Sequence, residues 1–148
     1  MVVGGERVSL DRTKRSPYSK EQLHDMYGLA KMLLETGHFR RADNVVSGLI
    51  SVAPHFSHAW LASAVVGIAL GRIERARDHA QQALRVQSDM AEAMLVLVLS
   101  SLTLGDYATA GTFLGELRDL IEAGVVSDPN TIRLFRMQMV RYNQEFDA

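Results

Sequence analysis

Gly37, Gly71 and Gly105 stand 34 residues apart, and Ala42, Ala76 and Ala110 repeat the same interval. No other feature of the chain restricts its fold as strongly. Two residue types held in one register over three copies define a repeated supersecondary unit rather than an irregular globule. Each glycine is followed two residues on by a large apolar residue, Phe39, Ile73 or Tyr107, and the alanine comes three positions later. Apolar residues at helical spacing lie on both sides of each glycine, so the unit reads as two helices joined by a turn. The glycine supplies the left-handed backbone where the first helix stops. The small alanine lets the second helix approach the first.

In order along the chain, residues 1–16 hold Arg7, Arg12, Lys14 and Arg15 against Glu6 and Asp11, with no helical period. They read as a flexible basic arm. Ser19 and Gln22 have the spacing of a capping box and open a helix over about 20–35, with Leu23, Met26, Leu29, Ala30, Leu33 and Leu34 on its apolar side. Its partner, about 39–53, stops before Pro54, which disfavours helix at the residue preceding it. The plan repeats with helices over about 57–70 and 73–87, then 91–104 and 107–123. Three units of about 23–56, 57–90 and 91–124 therefore fall within a region 17–126. After Gly124 the register ends. Asp128 and Pro129 begin a last helix in the segment 127–148, placed to close the exposed apolar end of an array.

Composition narrows the function classes. The chain has 47% hydrophobic residues, enough for a core, and a formal charge of -1, which gives no footing for nucleic acid as the main partner. Absence of cysteine removes disulfides and thiol chemistry. The first residues lack the basic-then-apolar order of a secretory signal, and the apolar run from Met94 to Leu104 is far shorter than the ~20 residues of a membrane helix. A cytoplasmic protein without a membrane span is the expectation. His55 and His58 are three apart but straddle the turn after Pro54, and no third metal ligand is placed near them. There is no nucleophile elbow and no phosphate-binding glycine loop. No enzyme, cofactor or metal site is expected; His24 and His58 occupy equivalent positions, where they could make a groove rim respond to pH.

At these residues the sequence resembles the tetratricopeptide repeat family, whose 34-residue pattern places large, small and alanine residues at fixed positions. Met26, Leu29, Ala30, Leu33, Ala42, Val46, Leu49 and Pro54 follow it in the first unit. Trp60, Ala64, Ala76, Ala80 and Ala83 follow it in the second, with Trp60 at a core position, and Met94, Leu97, Ala110, Leu114 and Leu117 in the third. Ser63, Gly67 and Ser101 depart from it, and helix packing at those points must be closer or rearranged. The resemblance implies an all-α, right-handed array of three helix hairpins with a C-terminal capping helix.

It also implies a concave surface built by the first helix of each hairpin. Tyr27, Lys31, Leu61, Val65, Ile68, Leu95, Leu99 and Leu102 are the expected groove residues. Family members that hold acidic peptide C-termini carry a clamp of Lys, Asn and Arg at such positions; here only Lys31 is present. The run Met94-Leu95-Val96-Leu97-Val98-Leu99 is apolar around the whole helix, so something must cover the surplus. Either the C-terminal helix folds back over it, or the groove receives an apolar segment or amphipathic helix of another protein. Burial of Leu61, Val65, Leu95 and Leu99 by such a partner would contribute on the order of 6 to 12 kcal/mol before ordering costs. On that reading, Leu61→Glu with Leu95→Glu should abolish capture and leave helicity intact.

A small array with an apolar groove, a basic arm and an extra helix is similar to the chaperones of bacterial type III secretion systems, which hold needle subunits or translocators until export. The implied function is a non-catalytic escort for a client protein, with a co-chaperone or a homodimer as possible further partners. A scaffold subunit of a larger complex and a self-associating adaptor are the rival readings. Arg40, Arg41, Arg72, Arg75 and Arg77 read as a solvated outer face.

Overall fold

A computed structural model describes residues 17–147, which form seven helices and no strand among the described residues. They are α1 (Lys20–Glu35), α2 (Phe39–Val52), α3 (Ser57–Ala69), α4 (Ile73–Val86), α5 (Ala91–Thr103), α6 (Tyr107–Glu122) and α7 (Pro129–Asp147). The expected basic arm over 1–16 lies outside the described residues.

Local chemistry sets the ends of these helices. The capping box at α1 is complete: Gln22 N donates to Ser19 Oγ at 3.1 Å and Ser19 N to Gln22 Oε1 at 2.9 Å. Asp106 caps α6 through Thr109 N. At the other ends, Gly37, Gly71 and Gly105 take φ of 81°, 74° and 80°, the left-handed turn for which only glycine carries no steric cost. Their amides, with those of the following residues, close Schellman-type turns on carbonyls of the preceding helix. Gly124, φ 75°, ends α6 in the same way, although it falls outside the 34-residue register.

Successive helices pack as antiparallel hairpins, and α1, α3 and α5 also lie side by side. Ala42, Ala76 and Ala110 are fully buried, one in each hairpin. The second hairpin is the tightest. A Cβ on Gly67 would stand 3.2 Å from Ala76 Cβ, Ala76 N and Arg72 O, so the glycine that departs from the family pattern permits a close approach of α3 and α4.

Polar chemistry joins the first two hairpins. Asp43 on α2 is ion-paired to Arg75 on α4, which also donates to Ser63 Oγ on α3 at 3.0 Å, and Ser63 Oγ lies 2.7 Å from His79 Nδ1. Arg72 approaches the same carboxylate at 3.6 Å. Arg75 is therefore not part of a solvated face: one arginine fork spans a buried serine and a half-buried aspartate. Trp60 is half-buried rather than deep in the core. Its Nε1 donates to the carbonyl of Pro54 at 2.9 Å, and its ring meets His79 edge-on at 5.2 Å.

The last helix closes the array. It packs on α5 and α6, where Phe135 joins Leu95, Val98, Leu102, Ala110, Leu114 and Leu117 in one buried cluster. Gly111 makes room for it, since a Cβ there would fall 2.7 Å from the Tyr142 hydroxyl. Arg141 donates to Thr103 Oγ1 at 2.9 Å and Tyr107 to Glu145 Oε2 at 3.1 Å, which ties the length of α7 to the third hairpin.

Candidate client-binding cleft

The three first helices form one wall of a concave surface and α7 forms another. Between them lies a cleft of about 460 Å³. Tyr27, Lys31 and Leu34 come from α1, His58, Leu61, Ala62 and Val65 from α3, and Glu92, Leu95, Val96 and Leu99 from α5. The opposite wall is Asp128, Asn130, Thr131, Leu134 and Gln138. Each first helix can contribute because residues three or four apart share a face: Leu61 and Val65 on α3 match Leu95 and Leu99 on α5, in the same repeat positions.

Six of the eight expected groove residues, Tyr27, Lys31, Leu61, Val65, Leu95 and Leu99, line this cleft, and Ile68 and Leu102 do not. Leu102 is 4% exposed and belongs to the cluster around Phe135; Ile68 is half-buried outside the lining. Of the two coverings considered for the apolar surface of α5, the C-terminal helix supplies one over part of that surface and leaves the rest uncovered. Helix α7 seals Val98 and Leu102, and the strip bearing Leu95 and Leu99 opens into the cleft. Depth differs along it: Leu61 and Leu95 are 5% and 8% exposed and form a floor, whereas Val65 is 37% exposed at the mouth.

An aromatic group stands at the α1–α3 edge. The ring centroids of His24 and Phe56 are 5.0 Å apart, those of Tyr27 and His58 5.1 Å, and those of His24 and His58 5.7 Å. Burial holds His58 below the ordinary histidine range, and the neighbouring His24 adds to this while Glu92 opposes it. Burial, with the Glu92 charge, pushes the Tyr27 phenol up. Both rings are consequently neutral near pH 7.

The polar groups are unevenly distributed. Lys31 stands on α1, and Glu92 and Asp128 lie across α3 from it on the other side of the cleft. Asp128 accepts from Thr131 N at 3.0 Å and Thr131 Oγ1 at 2.8 Å, bonds that hold its carboxyl below the usual range and start α7. Past Glu92, Asp128 and Thr131 the cleft continues into a second one of about 360 Å³, lined also by Asp89, Gln87 and Ser127. Gln138 Oε1 is buried and receives no hydrogen bond. Among the described residues no group of three or more His, Cys, Asp or Glu could hold a metal ion, and no helix is long and apolar enough to cross a membrane.

The α7 wall escapes sequence reasoning. Nothing in the periodicity of Ile132, Leu134, Phe135, Met137, Met139 and Val140 says which flank turns inward, because apolar residues occupy several sides of that helix.

Fold and cleft together define a helix-hairpin repeat array with a concave face. The chain belongs to the tetratricopeptide repeat family, whose model matches residues 27–81 and again 68–120. No curated protein matches the sequence. Among solved structures, the fold is similar to that of the type III secretion translocator chaperone SycD of Yersinia enterocolitica, with 18% identity, 85% of this chain and 92% of that one covered, and a TM-score of 0.72. It is similar also to PcrH in complex with the chaperone binding region of PopD, at 17% identity, 87% and 94% coverage and a TM-score of 0.73. A third similar structure is the TPR2B domain of yeast Sti1 in a pHsp70 complex, at 14% identity, 85% and 99% coverage and a TM-score of 0.74. Identities this low speak for the fold alone.

Proposed function

We propose that this protein is a non-catalytic chaperone or escort that shields an apolar or amphipathic segment of a client in its concave cleft. The cleft itself carries the reading: above a floor of Leu61 and Leu95, Val65 and Leu134 stand 37% and 39% exposed and leave apolar surface that a partner can bury. A role in type III secretion, with a needle subunit or translocator as client, is the finer form of the proposal. It draws on the fold shared with SycD and with PcrH, whose structure holds a chaperone binding region of PopD.

Leu61 and Leu95 are poor positions for the test, because a charge on the floor would unfold the array. Val65→Glu is better: at 37% exposure its carboxylate can reach water in the free protein. The tagged protein and this variant are to be recovered from the native cytosol, with co-purifying chains identified by mass spectrometry and their ratio measured. One helix-prone partner at one-to-one, lost in Val65→Glu while the melting temperature holds, is the expected result. Retention of that partner by the variant would overturn the cleft as its site.

One observation favours a homodimer as a second reading. Leu29 and Met32, one turn apart on α1, are exposed at the end of the array, where no further hairpin stacks among the described residues. Sedimentation of Met32→Glu against the parent protein separates the two readings, since dimer loss with client retention assigns α1 to self-association.

A further inference from the structure

We propose that the segment held in the cleft is basic as well as apolar, laying its apolar side chains against the Leu61–Leu95 floor and directing a lysine or arginine into the second cleft, among Asp89, Glu92 and Asp128. This rests on the cleft reading above and names the chemistry of its occupant.

Three features converge on that chemistry. Among the described residues the second cleft is lined by those three carboxylates and by no Lys, Arg or His, and it runs on from the apolar cleft through shared residues. A segment lying along the floor must therefore pass them. Asp128 accepts two bonds from Thr131, which fixes its position at the start of α7 and leaves its charge unneutralised. In a cleft with low-dielectric walls a cation gains from such a field, and a second carboxylate is repelled.

Among the described residues the cleft's only lysine or arginine, Lys31, stands on the far wall, carried by α1. The occupant thus meets opposite charges at opposite sides, which gives it a direction: its basic end towards α5 and α7, an acidic or uncharged end towards α1.

The experiment uses the full chain and two fluorescein-labelled amphipathic peptides with the same leucine face, one flanked by lysines and the other by glutamates. Anisotropy titration is expected to give about tenfold tighter binding of the lysine peptide at low salt, a difference that shrinks as salt rises from roughly 0.05 to 0.5 M. Glu92→Lys with Asp89→Lys should bring the two peptides to parity or reverse their order. Both sites are exposed, so circular dichroism should show helicity unchanged. Equal binding of both peptides, abolished for both by Val65→Glu, would overturn the basic occupant and leave the cleft reading standing. Tighter binding of the glutamate peptide would overturn it too, and so would a dimer that excludes both peptides and dissociates in Val65→Glu. If neither peptide binds at all, both readings fall.

Discussion

The first and third hairpins are built to one plan and buried to very different extents. Helix α1 buries only Leu23 and Ala30 of its sixteen residues, whereas α5 buries nine of thirteen. The contacts around them differ in kind as well. Where α2 meets the second hairpin, Asp43, Arg75, Ser63 and His79 add a charged and hydrogen-bonded seam beside the apolar cluster of Val46 and Val66; where α5 meets α7, Phe135 sits in an apolar cluster. Repetition of sequence positions therefore does not repeat their environment. An end hairpin faces water on one side, and helix α5 of the third hairpin is enclosed by α3, α4, α6 and α7. The dry end should anchor the fold, and the wet end should be the part that opens first.

The largest effect is expected where the dry interface is cut. Phe135→Ala should cost about 3 to 5 kcal/mol, since it removes an aromatic side chain from the centre of the α5–α6–α7 cluster. Urea unfolding followed by circular dichroism measures this, and a cost under about 1 kcal/mol would mean that α7 is only loosely held.

A smaller loss is expected from the wet seam. Asp43→Ala leaves the Arg75 guanidinium facing a buried serine without its counter-charge. Fully buried pairs cost about 3 to 5 kcal/mol when one partner is removed, but here both side chains retain about a fifth of their exposure, so about 2 kcal/mol is expected. Asp43→Ala combined with Arg75→Met should recover most of it. Failure of that double variant to recover would show that the seam's geometry matters more than its charge.

The smallest effect is a pH response confined to the wet half. Burial pushes His79 below the ordinary 6.5, helped by the Arg75 charge and opposed by Asp78 and Asp43; His58 is lowered as well. Both histidines are thus held neutral in the folded chain, and Ser63, accepting from Arg75, has its hydroxyl proton free to donate to a neutral His79 Nδ1. The stability they contribute is complete above pH 6.5 and is lost as pH falls through 6.5 towards their lowered folded values. Asp43, held low chiefly by its bond to Arg75, adds a second loss only in the acid range below 3.8. Corrected for the intrinsic pH dependence of the amide rate, hydrogen exchange in α1–α4 should quicken between about pH 7 and 5 while α5–α7 changes little, for no histidine lies beyond His79. His79→Gln should flatten the response. Uniform quickening across all seven helices would refute the division into two halves.

Most of the fold was legible in the residues themselves. Gly37, Gly71 and Gly105 mark turns that a side chain would strain, Ala42, Ala76 and Ala110 mark helix contacts without space, and a helical period between such marks leaves little choice of architecture. Both halves of these constraints are local, so the helix ends follow within a residue or so. The cleft was legible in part. Tyr27, Lys31, Leu61, Val65, Leu95 and Leu99 follow from the repeat position alone, because the first helices stand side by side in register.

What remained depended on surfaces that meet only in three dimensions. The docking of α7 decided that Leu102 is core and Leu99 is cleft, and it brought Asp128, Thr131 and Gln138 to face helices far from them in sequence. Arg75 likewise looked like one more surface arginine until α2 placed Asp43 against it. Periodicity records which side of a helix is apolar, but not which neighbour will cover it. That choice is made by shape and charge complementarity between elements, and it is the reason a repeat sequence can specify an array while its binding surface is fixed only in the assembled molecule.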